Sequence, residues 1–332
     1  MQPIELLCPV WPAPANVVAG ITTRVGGISQ APYAGLNLGQ HVGDDPLCVA
    51  RNRAQLEAYC RSDLCSNDNT NPERPSQHWH WLNQTHSNDV ATCTTLPVTD
   101  AGSPVEADAA ISNEPHHVCV VLTADCLPIL LCDRQGTRVG IIHAGWRGLV
   151  DGVVDNTITA LCAATQQQSS RRPNELFAWL GPAIGPKKFI VGDDVRQRAA
   201  AYFNKTGTTF DLAPNALDTA FAAAPDDSTQ DPRKTVNSTA ANPRKYLADI
   251  YQLATLALYR NGLKHIYGGG FCTTTDQQRF FSYRRDGVTG RMASFILLND
   301  AVSQCTTYFR PHLEKSGLFR QGQRIQTRYI CV

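Results

Sequence analysis

The 332-residue chain lacks most of the features that would place it in a class at once. It holds no run of about 18 uncharged apolar residues, so no membrane-spanning helix is expected. Its first residues, Met1-Gln-Pro-Ile-Glu, show no basic segment followed by an apolar stretch, so no secretory leader is expected either. Lys and Arg number 30 against 29 Asp and Glu, which leaves no basic excess to attract nucleic acid or anionic lipid. The twelve cysteines include no Cys-x-x-Cys pair, which argues against a zinc knuckle or a thioredoxin-like motif. Cys119, Cys126, Cys132 and Cys162 lie inside apolar segments. They are expected to be buried free thiols in a reducing cytoplasm, not a disulfide framework.

The usual phosphate loops are missing as well. Gly181-Pro-Ala-Ile-Gly185-Pro-Lys-Lys has a glycine spacing one residue too short for a P-loop, and no Ser or Thr follows the lysine. Pro182 and Pro186 also remove backbone donors that a phosphate cradle would use. Gly268-Gly-Gly270 lacks the dinucleotide-binding pattern. Arg24-Val-Gly-Gly-Ile-Ser29 stays open as an anion site, where an arginine adjoins flexible backbone, or as a solvated turn.

What the chain does have is a run of strand and helix signals. Residues 17–25 read as a strand ending in Gly26-Gly27, and residues 51–59 as a helix. Val118–Leu131 is a long apolar run broken only by Thr123-Ala-Asp-Cys126, and 138–144 is a second buried strand. A helix over 148–164 and a strand over 176–180 follow, an order in which parallel pairing is expected. A helix is expected over 243–261, with Asn242 as N-cap, Pro243 in the first turn and Gly262 as the stop. Strands are expected at 264–267, 279–283 and 291–298. Residues 62–77 and about 224–241 are polar and low in complexity, and read as surface insertions. No repeat or clean linker interrupts the chain, so one catalytic domain is expected over 1–300, with a C-terminal extension over 301–332.

The chemistry gathers in three short segments: Asn83-Gln-Thr-His86, Thr123-Ala-Asp-Cys126 and His143-Ala-Gly-Trp-Arg-Gly148. Neighbouring strands could bring Cys126 and His143 together, either as metal ligands or as a nucleophile–base pair. With His86 they form a His₂Cys set, and three protein ligands with an open fourth position are the arrangement of a catalytic zinc. Spacings of 40 and 17 residues are compatible with ligands on different strands but do not decide the matter. In a regular strand Asp125 points away from Cys126, so a catalytic role for it requires a bulge. Its other reading is a carboxylate that holds a loop or a metal-bound imidazole. Arg147 reads as an anion clamp or as the partner of a carboxylate.

These segments resemble the YfiH/YlmD/FAMIN family of laccase-domain (polyphenol oxidase) proteins. The resemblance rests on Thr22-Thr-Arg-Val-Gly-Gly-Ile-Ser29, Leu36-Asn-Leu-Gly39, the three segments above, Leu180-Gly-Pro-Ala-Ile-Gly185, Phe280-Phe-Ser-Tyr-Arg-Arg-Asp-Gly287 and Gly290-Arg-Met-Ala293. It spans about residues 18–299. It implies an α+β fold, a layered αββα sandwich with mixed sheets, and Zn²⁺ held by His86, Cys126 and His143. It also implies phosphorolysis of adenosine, inosine or 5′-methylthioadenosine, and deamination of adenosine. Purine nucleosides and phosphate would then be the partners. Arg24 and Arg147 are candidates for holding phosphate, and Asn37 for orienting sugar or phosphate. Asp125 is a candidate proton shuttle. A full multicopper centre needs more imidazoles than the nine present, mostly in His-x-His pairs, and only His78-Trp-His80 is such a pair. A lone Cu²⁺ in the same site could still support polyphenol oxidation. Two further alternatives are a cysteine-type amide hydrolase acting on a peptidoglycan precursor, with Cys126 as nucleophile and His143 as base, and a non-catalytic zinc-binding interaction module.

Overall fold

The computed structural model describes residues 3–61, 76–95, 104–163, 172–205, 215–225 and 244–300. Most of the two expected polar insertions, and the whole 301–332 extension, lie outside these residues. In chain order the strands are β1 (Leu6–Leu7), β2 (Val17–Thr22), β3 (His78–Trp81), β4 (Val90–Thr92), β5 (Ala109–Ser112), β6 (His117–Thr123), β7 (Leu127–Asp133), β8 (Val139–Ala144), β9 (Leu176–Leu180), β10 (Ile190–Gly192), β11 (Phe221–Ala223), β12 (Lys245–Ala248), β13 (His265–Gly268) and β14 (Met292–Leu298). The helices are α1 (Pro46–Tyr59), α2 (Trp146–Asp151), α3 (Val153–Cys162), α4 (Asp193–Phe203), α5 (Ile250–Arg260) and α6 (Tyr283–Asp286).

Two mixed sheets stack face to face. One has the order β1-β2-β14-β6-β3 and the other β13-β9-β7-β8-β5-β4. The period-2 alternation of strands explains the layering. On β14, Ile296 and Leu298 face the second sheet, while Ala293, Phe295 and Leu297 face outward to Leu36, Leu38 and Leu56 of α1. On β7, Leu130 and Cys132 meet the first sheet, while Leu127, Ile129 and Leu131 meet α3 and α5. Both faces of β7 and β8 are therefore covered, which is why their sequences are apolar at nearly every position. Each Leu or Ile buried in this way contributes roughly 1.5–3 kcal/mol. The result is the αββα layering of an α+β sandwich. A small sheet, β10-β12-β11, joins the helical layer through Val191, Tyr246, Ala248 and Phe221. No helix among the described residues is long and apolar enough to cross a membrane.

Four local expectations are corrected. The helix expected over 148–164 is two helices, broken at Gly152, whose φ of 97° does not fit a right-handed turn. The helix expected from 243 begins only at Ile250. Residues 245–248 form β12, paired with both β10 and β11, and Asp249 caps α5 by accepting from the Tyr251 and Gln252 N–H groups. Backbone pairing on both sides of β12 outweighed a helical signal that began at a proline; Asn242 and Pro243 lie outside the described residues. Residues 279–283 form no strand. Phe280 and Phe281 are fully buried in a turn, and α6 starts after Ser282, whose hydroxyl accepts from Arg285 N–H. Finally, β8 and β9 are not neighbours. Each pairs antiparallel with β7, which lies between them, and β9 finds its parallel partner in β13.

Candidate active site

The site forms where β6 ends, β7 begins and β8 ends. Pairing of Pro128 with His143 places Cys126, just before β7, beside the end of β8. Gln84 supplies the third segment. Its side-chain amide donates to Leu122 O (2.8 Å) and its carbonyl oxygen accepts from Leu122 N (2.7 Å), continuing the β6 ladder with a side chain. Two residues on, His86 adopts φ 63°, a left-handed conformation that costs a non-glycine residue roughly 1–3 kcal/mol. That turn aims its imidazole at the sulfur: His86 Nε2 lies 3.7 Å from Cys126 Sγ. The His86 and His143 rings meet edge-on with centroids 4.8 Å apart.

One donor atom from each of His86, Cys126 and His143 lies within 4.8 Å of the others. Asp108 organises this set from beneath. Its Oδ1 accepts from His143 Nδ1 at 2.7 Å. Its Oδ2 accepts from Ser87 N (2.6 Å), Ser87 Oγ (3.0 Å) and Thr85 N (3.1 Å), which holds the His86 turn. A carboxylate behind a ligating imidazole fixes its tautomer and leaves the other ring nitrogen for a metal. Gly145 gives the cluster room: a Cβ there would sit 2.6 Å from His86 Cδ2 and 3.2 Å from Cys126 Sγ. Gly148 lets α2 approach the same turn, where a Cβ would meet Ser87 O at 2.7 Å. Two imidazoles and a thiolate suit a soft-to-borderline transition metal.

The described cysteines are free thiols, and two of them are lowered: Cys272, where burial is outweighed by hydrogen bonds from Thr275 and Gly185, and Cys126, the one in the donor set. Burial pushes the thiols of Cys119 and Cys132 up, as expected for inert core positions. Burial pushes on Cys126 too, but the charge and hydrogen bond of His143, with help from His86, outweigh it and bring the thiol down to about 6. Burial conversely lowers His143, yet the Cys126 thiolate and Asp108 raise it to about 9.

Asp125 also departs from regular strand geometry, at φ 95°. Its Oδ1 accepts from Thr273 Oγ1 and its Oδ2 from Arg284 N, both at 2.6 Å, so it ties the segment around the start of α6 to the loop that carries Cys126. Above the cluster opens a cavity of about 550 Å³, within the ~300–1,000 Å³ usual for small-molecule sites. Its polar wall includes His41, Arg147, Arg284 and Arg291, and Trp146, Phe189 and Tyr283 offer flat rings.

Of the residues singled out in the sequence, His86, Cys126, His143, Asp125 and Arg147 line this cavity. Arg24 and Asn37 are not among the lining residues. Arg24 donates to Ala34 O and Gln277 O and lies over the Phe281 ring. Asn37 is buried, donates to Asp44 Oδ2, and accepts from Gly39 N and Arg291 N. The reading from sequence missed Asp108, His41 and Arg291. Asp108 carried one faint signal, a lone carboxylate immediately before an apolar strand. Arg291 stood inside a quoted motif with no role attached.

Fold and site together define a layered α+β protein with a three-donor set that could hold a metal ion, at the base of a small-molecule cavity. The family described as multi-copper polyphenol oxidoreductase laccase matches residues 18–299. The chain belongs to this laccase-domain family, that of YfiH and YlmD. It is 42% identical over 294 residues to the purine nucleoside phosphorylase YfiH of Escherichia coli (strain K12), covering 89% of this chain and 99% of that one. It is 30% identical to the purine nucleoside phosphorylase YlmD of Geobacillus stearothermophilus, over 85% and 90% of the two chains. The crystal structure of a Neisseria meningitidis protein superposes with a TM-score of 0.69 at 40% identity, covering 89% of this chain and 99% of that one.

Proposed function

We propose that this protein is a zinc-dependent purine nucleoside phosphorylase acting on adenosine, inosine and 5′-methylthioadenosine, with adenosine deamination as a second activity. The observation that carries the reading is the His86–Cys126–His143 donor set, braced by Asp108, at the base of a cavity with three arginines in its wall. The relatives named as purine nucleoside phosphorylases supply the substrate class. The donor set would hold Zn²⁺, which supplies Lewis acidity toward a substrate oxygen or nitrogen, or toward water.

The chain's own residues account for the rest. In phosphorolysis a phosphate oxygen bonds to the anomeric carbon as the C1′–N9 bond breaks, and the purine leaves with the electron pair and takes up a proton. The cavity arginines offset the phosphate charge, with Arg147 among them. Trp146, Phe189 and Tyr283 offer faces for the purine. Asn37 serves from outside the cavity, by fixing the Arg291 backbone. In deamination Asp125 is the candidate proton shuttle, and its bonds to Thr273 and Arg284 would orient it.

The test is to prepare the protein in metal-defined medium, measure bound zinc, and assay adenosine with and without phosphate. Ribose 1-phosphate that disappears in Cys126→Ala and His86→Ala is expected. Intact adenosine at full zinc occupancy would sink the reading. The lowered Cys126 thiol beside a raised His143 also suits a thiol hydrolase. Amide hydrolysis that survives complete metal removal would favour that alternative.

A further inference from the structure

We propose that Arg291 is the phosphate anchor of this cavity, binding two phosphate oxygens through the free edge of its guanidinium. The inference rests on the phosphorolysis reading and assigns the anion subsite to a residue that the sequence pattern left without a role. Two arginines close to the site but outside the cavity wall are spent within the protein. Arg24 donates from both terminal nitrogens to Gln277 O and Ala34 O. Arg53 places Nε and Nη2 on Leu38 O and lies 3.8 Å over the Trp81 ring. The two other cavity arginines are exposed: Arg284 donates through Nη1 to Lys188 O and Ile190 O, and Arg147 lies over the Trp146 ring.

Arg291 is the least exposed of the three cavity arginines and combines two further features. Only Nη1 is used, donating to Thr289 O (3.0 Å) and Gly290 O (3.1 Å), which leaves the Nε and Nη2 edge without a hydrogen bond among the described residues. It also forms no salt bridge to a carboxylate among them. A largely buried guanidinium with no anionic partner is costly unless a ligand supplies one. Burial accordingly lowers its affinity for its proton, and the charges it senses most are those of Cys126 and Asp125, which places it beside the loop that carries Cys126.

The surroundings are built to hold it. Asn37 Oδ1 accepts from Arg291 N at 2.9 Å, and Leu38 N donates to Arg291 O at 3.2 Å. Gly39 makes way for the stem, since a Cβ there would lie 2.8 Å from Arg291 Cγ. Asn37 is in turn fixed by Asp44. The Leu36-Asn-Leu-Gly39 and Gly290-Arg-Met-Ala293 motifs thereby become one device, a cradle and its arginine. A planar fork suits two oxygens of phosphate while the third attacks C1′, and lysine cannot reproduce it.

The test compares zinc-loaded wild type, Arg291→Met, Arg291→Lys and Arg24→Met. It uses titration with inorganic phosphate and, in parallel, the KM values for phosphate and for nucleoside. Arg291→Met should weaken phosphate binding and raise its KM by roughly 10- to 100-fold, the worth of one or two charge-assisted hydrogen bonds. Arg291→Lys should fall between, and Arg24→Met should stay within about threefold of wild type. Phosphate binding in Arg291→Met within threefold of wild type, or an equal loss in Arg24→Met, overturns the assignment. Zinc content of each variant reports that the site is assembled. The binding titration stands without turnover, so an inactive wild type that still binds phosphate through Arg291 would refute phosphorolysis and leave the anion site intact.

Discussion

His143 Nδ1 donates to Asp108 Oδ1 at 2.7 Å, with both groups buried, so the imidazole's other nitrogen is left for the Cys126 side of the site. One carboxylate thereby sets the tautomer of one ligand and, through its second oxygen, the turn that carries another.

Asp108→Asn should therefore weaken metal binding by roughly 10- to 100-fold, the usual effect of removing a carboxylate behind a ligating histidine. The amide can accept from His143, but its NH₂ then faces the N–H groups of Thr85 and Ser87. Competition against a chelator of known affinity measures the loss. Wild-type affinity would show that Asp108 is dispensable to the site.

Gly145→Ala should empty the metal centre while leaving the fold in place. The added methyl would lie 2.6 Å from His86 Cδ2, and the His86 turn is already in a left-handed conformation with little room to yield. Metal content after purification, set beside an unchanged far-ultraviolet circular dichroism spectrum, checks this. Full metal occupancy would count against a site this tightly bounded.

The metal-free protein should react with iodoacetamide first at Cys126. The rate should rise through a midpoint near pH 6 and level off above it, because the thiolate is the nucleophile. The direction follows from the imidazolium of His143, which stabilises the thiolate down to pH 6 and keeps its own proton up to about 9. In His143→Ala the midpoint should move up, since burial then acts with less opposition. Peptide mapping by mass spectrometry resolves the site, and zinc should protect it. A wild-type midpoint near the ordinary thiol value would remove the pairing.

Phe295→Ala should cost about 3–5 kcal/mol of stability without affecting metal binding. The ring is fully buried, packs on Trp79 at 5.6 Å between centroids, and fills the space left by Gly20, where a Cβ would touch it at 2.6 Å. It lies on the α1 side of β14, in a different layer from the metal centre. Chemical denaturation gives the first quantity and zinc content the second.

Much of the fold was legible in the sequence because its signals are local. The apolar runs of β6, β7, β8 and β14 announce strands buried on both faces. Gly262, at φ 90°, stops α5 where a left-handed residue is needed. Residues 245–248 were misread because their strand character comes from β10 and β11, which are distant in sequence. The Phe280–Phe281 pair was misread for a related reason: two buried aromatics look the same in a strand and in a packed turn.

The sequence by itself determined the donor types. A thiol and two imidazoles in short motifs at the ends of apolar runs restrict the chemistry, whatever the fold. Only the tertiary structure decided who serves whom. Asp108 is 35 residues from His143, and Asn37 is 254 from Arg291. No periodicity encodes such pairs, because a hydrogen bond depends on distance in space and the chain reaches that distance only after its sheets have stacked.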